Sequence, residues 1–295
     1  MQTLEILNRK IKTAHDLLGV VKTMKSLAAV NMLQFERAVE SLEQYKAVVD
    51  KGWTVLLRSG QPMSLRTRSK TAVCMIIGSD QGMCGQFNEV LRPFAQEHAQ
   101  ALKDQGLDMT YWSMGDKING ALQDAGLLGG EHLSVPGSLN AVNARVQEVI
   151  QKIESWRSNR NLEHVYLCYN RVSDRGGYTQ VFEKMFPLDK TWAETYTSRK
   201  WPNRCLPMMG LPREVMFKHL FSQYLFVSFY RALAQSLAGE NAARLMAMQA
   251  AEKNILELEE QLQALFREQR QAGITNELLD IISGFEALSE EDVPI

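Results

Sequence analysis

The chain has 295 residues, 45% of them hydrophobic and 23% charged, with a formal net charge of -1. This is an ordinary globular composition, too apolar for a chain disordered throughout. The near-zero charge excludes a protein held mainly by nucleic-acid phosphates, which needs a strong basic excess. Length alone predicts about two domains. The four cysteines, Cys74, Cys84, Cys168 and Cys205, show neither paired metal-ligand spacing nor a dense disulfide framework, so a reducing compartment is expected. The most apolar window, Leu220 to Leu237, is broken by Gln223, Ser228 and Arg231, so no membrane-spanning helix is expected. The amphipathic N-terminus carries Arg9, Lys10 and Lys12 but also Glu5 and Asp16. It runs into a longer periodic pattern and reads as mature structure, not a targeting segment.

The first element is a helix of unusual length. Steps of three and four residues from Leu4 meet Leu7, Ile11, Ala14, Leu18, Val21, Lys25, Ala28, Met32, Phe35, Val39, Leu42, Lys46 and Val49. Only Lys25 and Lys46 break the apolar series, and this spacing lays one stripe along a supercoiled helix. No proline occurs before Pro62, so one helix over residues 1–57 is predicted, roughly 80 Å long. Residues 58–70 then read as a linker.

A small α/β unit, Rossmann-like in class, is predicted over residues 71–187. Thr71 to Gly78 (TAVCMIIG) is a continuous apolar run, typical of a buried strand, and Ser79 to Gly85 is a turn. A helix follows over Gln86–Lys103, a strand over Met109–Met114 and a short helix over Asp116–Asp124. Ala141–Trp156 is an amphipathic helix, His164–Val172 a third strand and Tyr178–Met185 a fourth. Asp174 to Gly177 reads as a hairpin turn. The alternation implies a small sheet covered by helices. Residues 188–211, with Pro202 and Pro207, read as a return loop.

The last element, residues 212–290, is again a long helix, with Pro212 placed for its first turn. Apolar residues recur at Ala251, Ile255, Leu258, Leu262 and Leu265, then at Ile274, Leu278, Ile281, Phe285 and Leu288. The two runs do not share one heptad register, so a break is expected between Phe266 and Gly273. Gly273 there is expected to allow close approach or bending. Two such helices must project beyond any domain they bracket, and an antiparallel coiled coil pairs them economically. Charge agrees: the first helix is rich in lysine and arginine, whereas the last is acidic at Glu257, Glu259, Glu260, Glu290, Glu291 and Asp292.

Chemistry is sparse. The strand, glycine turn and helix around Gly78–Gly85 resemble a phosphate cradle at a helix N-terminus, but no Gly-Lys-Ser/Thr ending and no G-x-G-x-x-G is present. Gly82, Cys84 and Gly85 therefore read as a structural turn. Cys84 lies near a helix start, where a thiol can be activated, yet none of the five histidines is placed as its partner, and an inert buried thiol is favoured. The fourteen methionines read as adaptable packing. No cofactor and no metal are expected.

Three segments resemble the gamma subunit of F-type ATP synthases, the central rotor shaft. They are Val21-Lys-Thr-Met-Lys-Ser-Leu-Ala-Ala29, Gly78-Ser-Asp-Gln-Gly-Met-Cys-Gly-Gln-Phe-Asn88, and the run from Arg270 to Leu288 (RQAGITNELLDIISGFEAL). Helix-level similarity adds Tyr230 to Leu233 and Glu240 to Met248. The resemblance implies a non-catalytic subunit that transmits torque between a membrane rotor ring (the c-ring) and a ring of alpha and beta catalytic subunits. It implies an epsilon subunit as a further partner, and a peripheral position on the cytoplasmic face of a bacterial or archaeal plasma membrane. Met24 and Lys25 match the N-terminal helix facing the catalytic ring. Arg270, Gln271, Thr275 and Glu277 match positions that touch the moving segment of the catalytic subunits. Three departures, Phe285 after the glycine, Met83 in the turn and the pair Asp80-Gln81, point to a divergent branch such as a sodium-coupled synthase. Two readings compete: a nucleotide-binding α/β enzyme with helical arms, and a coiled-coil scaffold.

Overall fold

A computed structural model describes residues 4–59, 69–127, 129–173, 177–201, 205 and 207–290, with backbone alone at 190 and 285–290. Most of the linker read over 58–70, the turn residues Asp174–Gly176, and Pro202, Glu291 and Asp292 lie outside them, as does the side chain of Phe285. The elements are α1 (Leu4–Arg58), β1 (Thr71–Ile77), α2 (Phe87–Asp104), β2 (Asp108–Met114), α3 (Asp116–Asp124), β3 (His132–Leu133), α4 (Leu139–Arg160), β4 (His164–Val172), β5 (Tyr178–Phe186), α5 (Lys190–Thr197) and α6 (Arg213–Glu290). The chain divides into two compact units, one of residues 1–27 and 247–295, the other of residues 28–246.

The larger unit is built on a five-stranded sheet in the order β3-β2-β1-β4-β5. β1 to β4 pair in parallel and β5 runs antiparallel to β4. The central strands β1 and β4 are apolar on both faces because both faces are covered. Val73, Met75 and Ile77 point into a core shared with α4 and with Leu225, Phe229 and Leu233 of α6. Ala72, Cys74 and Ile76 point the other way, onto Leu91, Ala95 and Ala99 of α2 and Ile118 and Leu122 of α3. β1 and most of β4 therefore read as continuous hydrophobic runs rather than alternating ones.

Two elements depart from the expected outline. The segment read as a return loop contains α5. Asp189 caps it by accepting from the Trp192 amide at 2.9 Å, which sets a turn of helix that two downstream prolines had obscured. β3 has only two residues, too short for any periodicity to show.

α5 closes a third cluster. Trp53 of α1 is fully buried, with its ring edge-on to Trp192 at 4.9 Å, to Phe217 at 5.5 Å and to Tyr224 at 6.4 Å. Beside it the buried carboxylate of Asp50 accepts from Tyr196 Oη at 3.0 Å and from Arg199 Nη1 at 2.9 Å. Burial and the neighbouring carboxylate both push the Tyr196 phenol pKa up.

The smaller unit is the pair formed by the N-terminal part of α1 and the C-terminal part of α6. His15 lies 3.7 Å from Glu259 and Lys25 pairs with Glu252, so numbering rises along one helix as it falls along the other, and the pair is antiparallel. On α1 the least exposed line is Leu7, Ile11, Ala14, Leu18, Val21 and Lys25, the stripe read from sequence. On α6 it is Met248, Glu252, Ile255, Glu259, Leu262, Phe266, Gln269 and Gly273. Those steps alternate four and three without interruption. The expected register break is absent, because the inward line passes through two glutamates instead of Leu258 and Leu265, which are each 47% exposed. Among the described residues nothing lies within 4 Å of a Cβ built on Gly273, so that glycine serves no close approach to them.

Candidate functional site

Open α/β sheets bind ligands outside the carboxyl ends of the strands, where the strand order reverses. Here the reversal falls between β1 and β4, and the turn Gly78–Gly85 lies at that edge. The turn is held from within. Ser79 N donates to Asn88 Oδ1 at 3.1 Å, Asn88 Nδ2 donates to Ser79 Oγ at 2.9 Å, and Ser79 Oγ donates to the Gln81 carbonyl at 2.8 Å. Met83 and Gly85 both have φ of 60°, the left-handed region that reverses the chain before α2. A Cβ at Gly78 would lie 2.5 Å from Asn88 Oδ1 and from Ile118 Cβ, so only glycine fits there.

The crevice is occupied by α6. Ser236 Oγ donates to the Ile77 carbonyl at 3.2 Å, and a Cβ on Gly239 would sit 3.2 Å from the Asn170 carbonyl. Asn170 Nδ2 in turn donates to the Phe87 carbonyl at 2.9 Å, tying β4 to the start of α2. One turn further along α6, buried Glu240 accepts from Arg244 Nη2 at 2.7 Å, and the same nitrogen reaches the Gly82 carbonyl at 3.5 Å. Burial pushes the Glu240 carboxyl pKa up, and Arg244 opposes that. Small side chains on α6 let backbone meet backbone where a nucleotide would otherwise lie.

Gly82, Cys84 and Gly85 are thus brought to the seam between the sheet and α6. Cys84 is 2% exposed, and burial pushes its thiol pKa up, opposed by its hydrogen bond with Ser79. The thiolate is disfavoured there, which suits packing and not nucleophilic attack. No group of three or more potential metal ligands occurs among the described residues.

The other singled-out residues lie in the smaller unit. Met24 and Lys25 are half-buried, and Lys25 is engaged by Glu252. Arg270, Gln271, Thr275 and Glu277 are exposed, and Thr275 Oγ1 donates to the Gln271 carbonyl at 3.0 Å. Around them large apolar side chains face solvent. Leu17, Val20 and Leu27 on α1 are 50%, 57% and 58% exposed, and Ile274, Leu278 and Ile281 on α6 are 50%, 54% and 65% exposed. The ion pairs to Glu252 and Glu259 were missed in sequence. The signal was Lys25 itself, since a cation inside an apolar stripe asks for an anion on the facing helix. Glu240, Arg244 and Asp50 were missed as well, because burial of a charge leaves no mark on periodicity.

The larger unit is an α/β domain whose crevice is filled by its own helix, and the smaller unit is an antiparallel helical pair. Comparison with known proteins agrees. A family model described as ATP synthase matches residues 3–288. The ATP synthase gamma chain of Glaesserella parasuis serovar 5 is 26% identical over 284 residues, covering 95% of this chain and 97% of that one. The gamma chain of Wolbachia pipientis subsp. Culex pipiens is 26% identical over 300 residues, covering 98% and 100%. A chain in the OSCP/F1/c-ring structure of Euglena gracilis mitochondrial ATP synthase superposes with a TM-score of 0.67 at 16% identity, covering 99% of this chain and 97% of that one. The chain belongs to the ATP synthase family, among the gamma chains that form the central stalk of the F-type enzyme.

Proposed function

We propose that the chain is the non-catalytic torque shaft of its complex. The smaller unit enters a ring of alpha and beta catalytic subunits, and the larger unit carries the epsilon subunit and meets the membrane c-ring. The complex sits on the cytoplasmic face of a bacterial or archaeal plasma membrane. The observation that carries this reading is the helical pair, whose large apolar side chains face outward on α1 and α6 with nothing among the described residues to cover them. A concentration of large apolar side chains left exposed marks a protein interface. Burial of a charged or nucleotide ligand finds no support, since α6 occupies the crevice.

Torque transfer requires that each orientation of the shaft favour one state of a catalytic subunit, which takes contacts that differ between states. The exposed side chains of Arg270, Gln271, Thr275 and Glu277 supply charge-assisted and neutral hydrogen bonds for that purpose, with Met24 adding apolar contact. Lys25 keeps its ion pair with Glu252 and so holds the two helices in register. The test is Arg270→Ala in the reconstituted complex, with assembly and ion-driven ATP synthesis measured on the same preparation. Full assembly with reduced synthesis is expected. Unchanged synthesis in a fully assembled complex overturns the role of Arg270, and failure of the native chain to co-purify with the catalytic ring overturns the shaft reading itself.

A further inference from the structure

One polar cluster of the larger unit takes no part in the seam with α6. β3 covers the edge of β2 at Ser113 and Met114 with two residues. Backbone bonds run there from Ser113 N to the Glu131 carbonyl at 3.0 Å and from Gly115 N to the Leu133 carbonyl at 2.9 Å. So short a strand gains little from its ladder, and side chains add to its hold. His132, its first residue, is clasped on both ring nitrogens: Nδ1 lies 2.9 Å from Ser113 Oγ, and Nε2 lies 3.0 Å from Asp116 Oδ1. The same Ser113 hydroxyl donates to Asn119 Oδ1 at 2.9 Å. The Asp80 carboxylate accepts from Asp116 N at 3.1 Å and from Val135 N at 3.1 Å. β3, the start of α3 and the turn Gly78–Gly85 are thus tied together.

The network closes in one protonation state. Ser113 has a single hydroxyl hydrogen, given to Asn119, so Nδ1 of His132 must bring its own. An ionised Asp116 only accepts, so Nε2 must be an N–H as well. The closed network therefore holds an imidazolium. A neutral ring has one N–H. Carried on Nδ1, it leaves the Nε2 lone pair against the Asp116 carboxylate. Carried on Nε2, it draws the Ser113 hydrogen away from Asn119 or makes the Asn119 amide turn over. The ion pair is open to water, with side chains 39% and 68% exposed, and alone contributes little. Ser113 is 4% exposed, so water does not make good what its hydroxyl loses. The neighbouring charges are otherwise engaged. Glu131 is turned to α4, where Lys152 Nζ donates at 2.6 Å and holds the carboxyl pKa below its ordinary value. Arg145 of α4 donates to Ser134 Oγ at 2.8 Å and pairs with Glu148, and Lys117 of α3 lies toward Gly82. Histidine is the side chain that changes charge across neutral pH. We propose that β3 is held by a proton-operated latch: with His132 doubly protonated, Ser113 and Asp116 clasp it between β2 and α3, and loss of one proton releases residues 131–135 from the edge of the sheet. The latch lies wholly within the larger unit and does not rest on the shaft reading.

The experiment is amide exchange of the full chain by mass spectrometry over a series from about pH 5.5 to about pH 8, with the His132 ring followed by NMR over the same series. Exchange is read as protection factors, which divide out its intrinsic dependence on pH. Residues 131–135 are expected to lose protection about fivefold toward the higher pH, the factor that one hydrogen bond of average net worth supplies, while β1 and β4 keep theirs. His132→Gln is neutral throughout and is expected to show the lower protection at every pH. In the native chain the midpoint of the change is expected to coincide with that of the His132 ring, a comparison that decides the matter even where the variant does not fold. Constant protection of residues 131–135 across the series overturns the latch. So does a change that persists in His132→Gln, or one whose midpoint departs from that of the ring, because another group is then the switch.

Discussion

The two compact units handle apolar residues in opposite ways. In the larger unit the big side chains are sealed: Trp53, Trp112 and Phe87 are wholly buried against neighbours in the same chain. In the smaller unit the buried line is thin. It consists of Leu7, Ala14 and Leu18 on one helix and Met248 and Leu262 on the other, and most of the remaining leucines and isoleucines face out. Hydrophobic burial is the main favourable contribution to folding, so the larger unit holds itself together while the smaller one draws stability from whatever covers it. The contrast teaches that the same residue types serve as core in one unit and as interface in the other.

The largest effect is expected in the sealed unit. Trp53→Ala leaves a void among Trp192, Phe217 and Tyr224 and costs about 3–5 kcal/mol, read from denaturant unfolding of the full chain. A variant within 1 kcal/mol of the native chain would show that this cluster is not a core.

Next comes the pair at the seam. Arg244→Met strands the buried Glu240 carboxylate, and loss of one partner of a buried pair costs roughly 3–5 kcal/mol, less what Glu240 recovers by taking up a proton. The sign with pH follows from the raised folded pKa of Glu240. A carboxyl that holds its proton more tightly when folded adds stability that is fully present below its unfolded value of 4.5 and is lost as pH rises through the folded one. Arg244 lowers that folded value, so its removal raises it further and moves the loss to higher pH. The deficit of the variant is therefore expected to be larger at pH 8 than at pH 5. A deficit independent of pH would show that Glu240 does not titrate in the folded chain.

Smaller changes belong to the open unit. Lys25→Gln removes a half-exposed ion pair with Glu252 and is expected to cost about 0.5–1 kcal/mol, seen as faster amide exchange in residues 1–27 and unchanged exchange in the sheet. Arg270→Ala is expected to move the stability of the chain by no more than about 0.5 kcal/mol, since its side chain is exposed, even where it lowers coupled synthesis. A large loss of stability in that variant would make Arg270 part of the fold instead of a contact.

The same contrast explains what was legible in the sequence. The stripe on α1 and the strands β1 and β4 are readable because an apolar line facing one helix, or an apolar run covered on both faces, has a single interpretation. The line on α6 is misleading at Leu258 and Leu265, because apolar identity alone does not give inward direction. Glu252 and Glu259 hold the inward places, and the leucines point out. α5 was lost among prolines although Asp189 marks its start. The turn at Gly78–Gly85 was placed correctly on the strand–helix edge, but the helix that fills the crevice lies more than a hundred residues away, and no local pattern announces it.

That filled crevice has a further consequence. α6 behaves toward the sheet as a ligand joined to its receptor by the polypeptide itself, so its local concentration is set by the tether and not by the cell. A free nucleotide would have to displace Ser236 and Gly239 against that effective concentration. The sheet is thereby kept saturated by its own chain, whatever the concentration of free nucleotide around it.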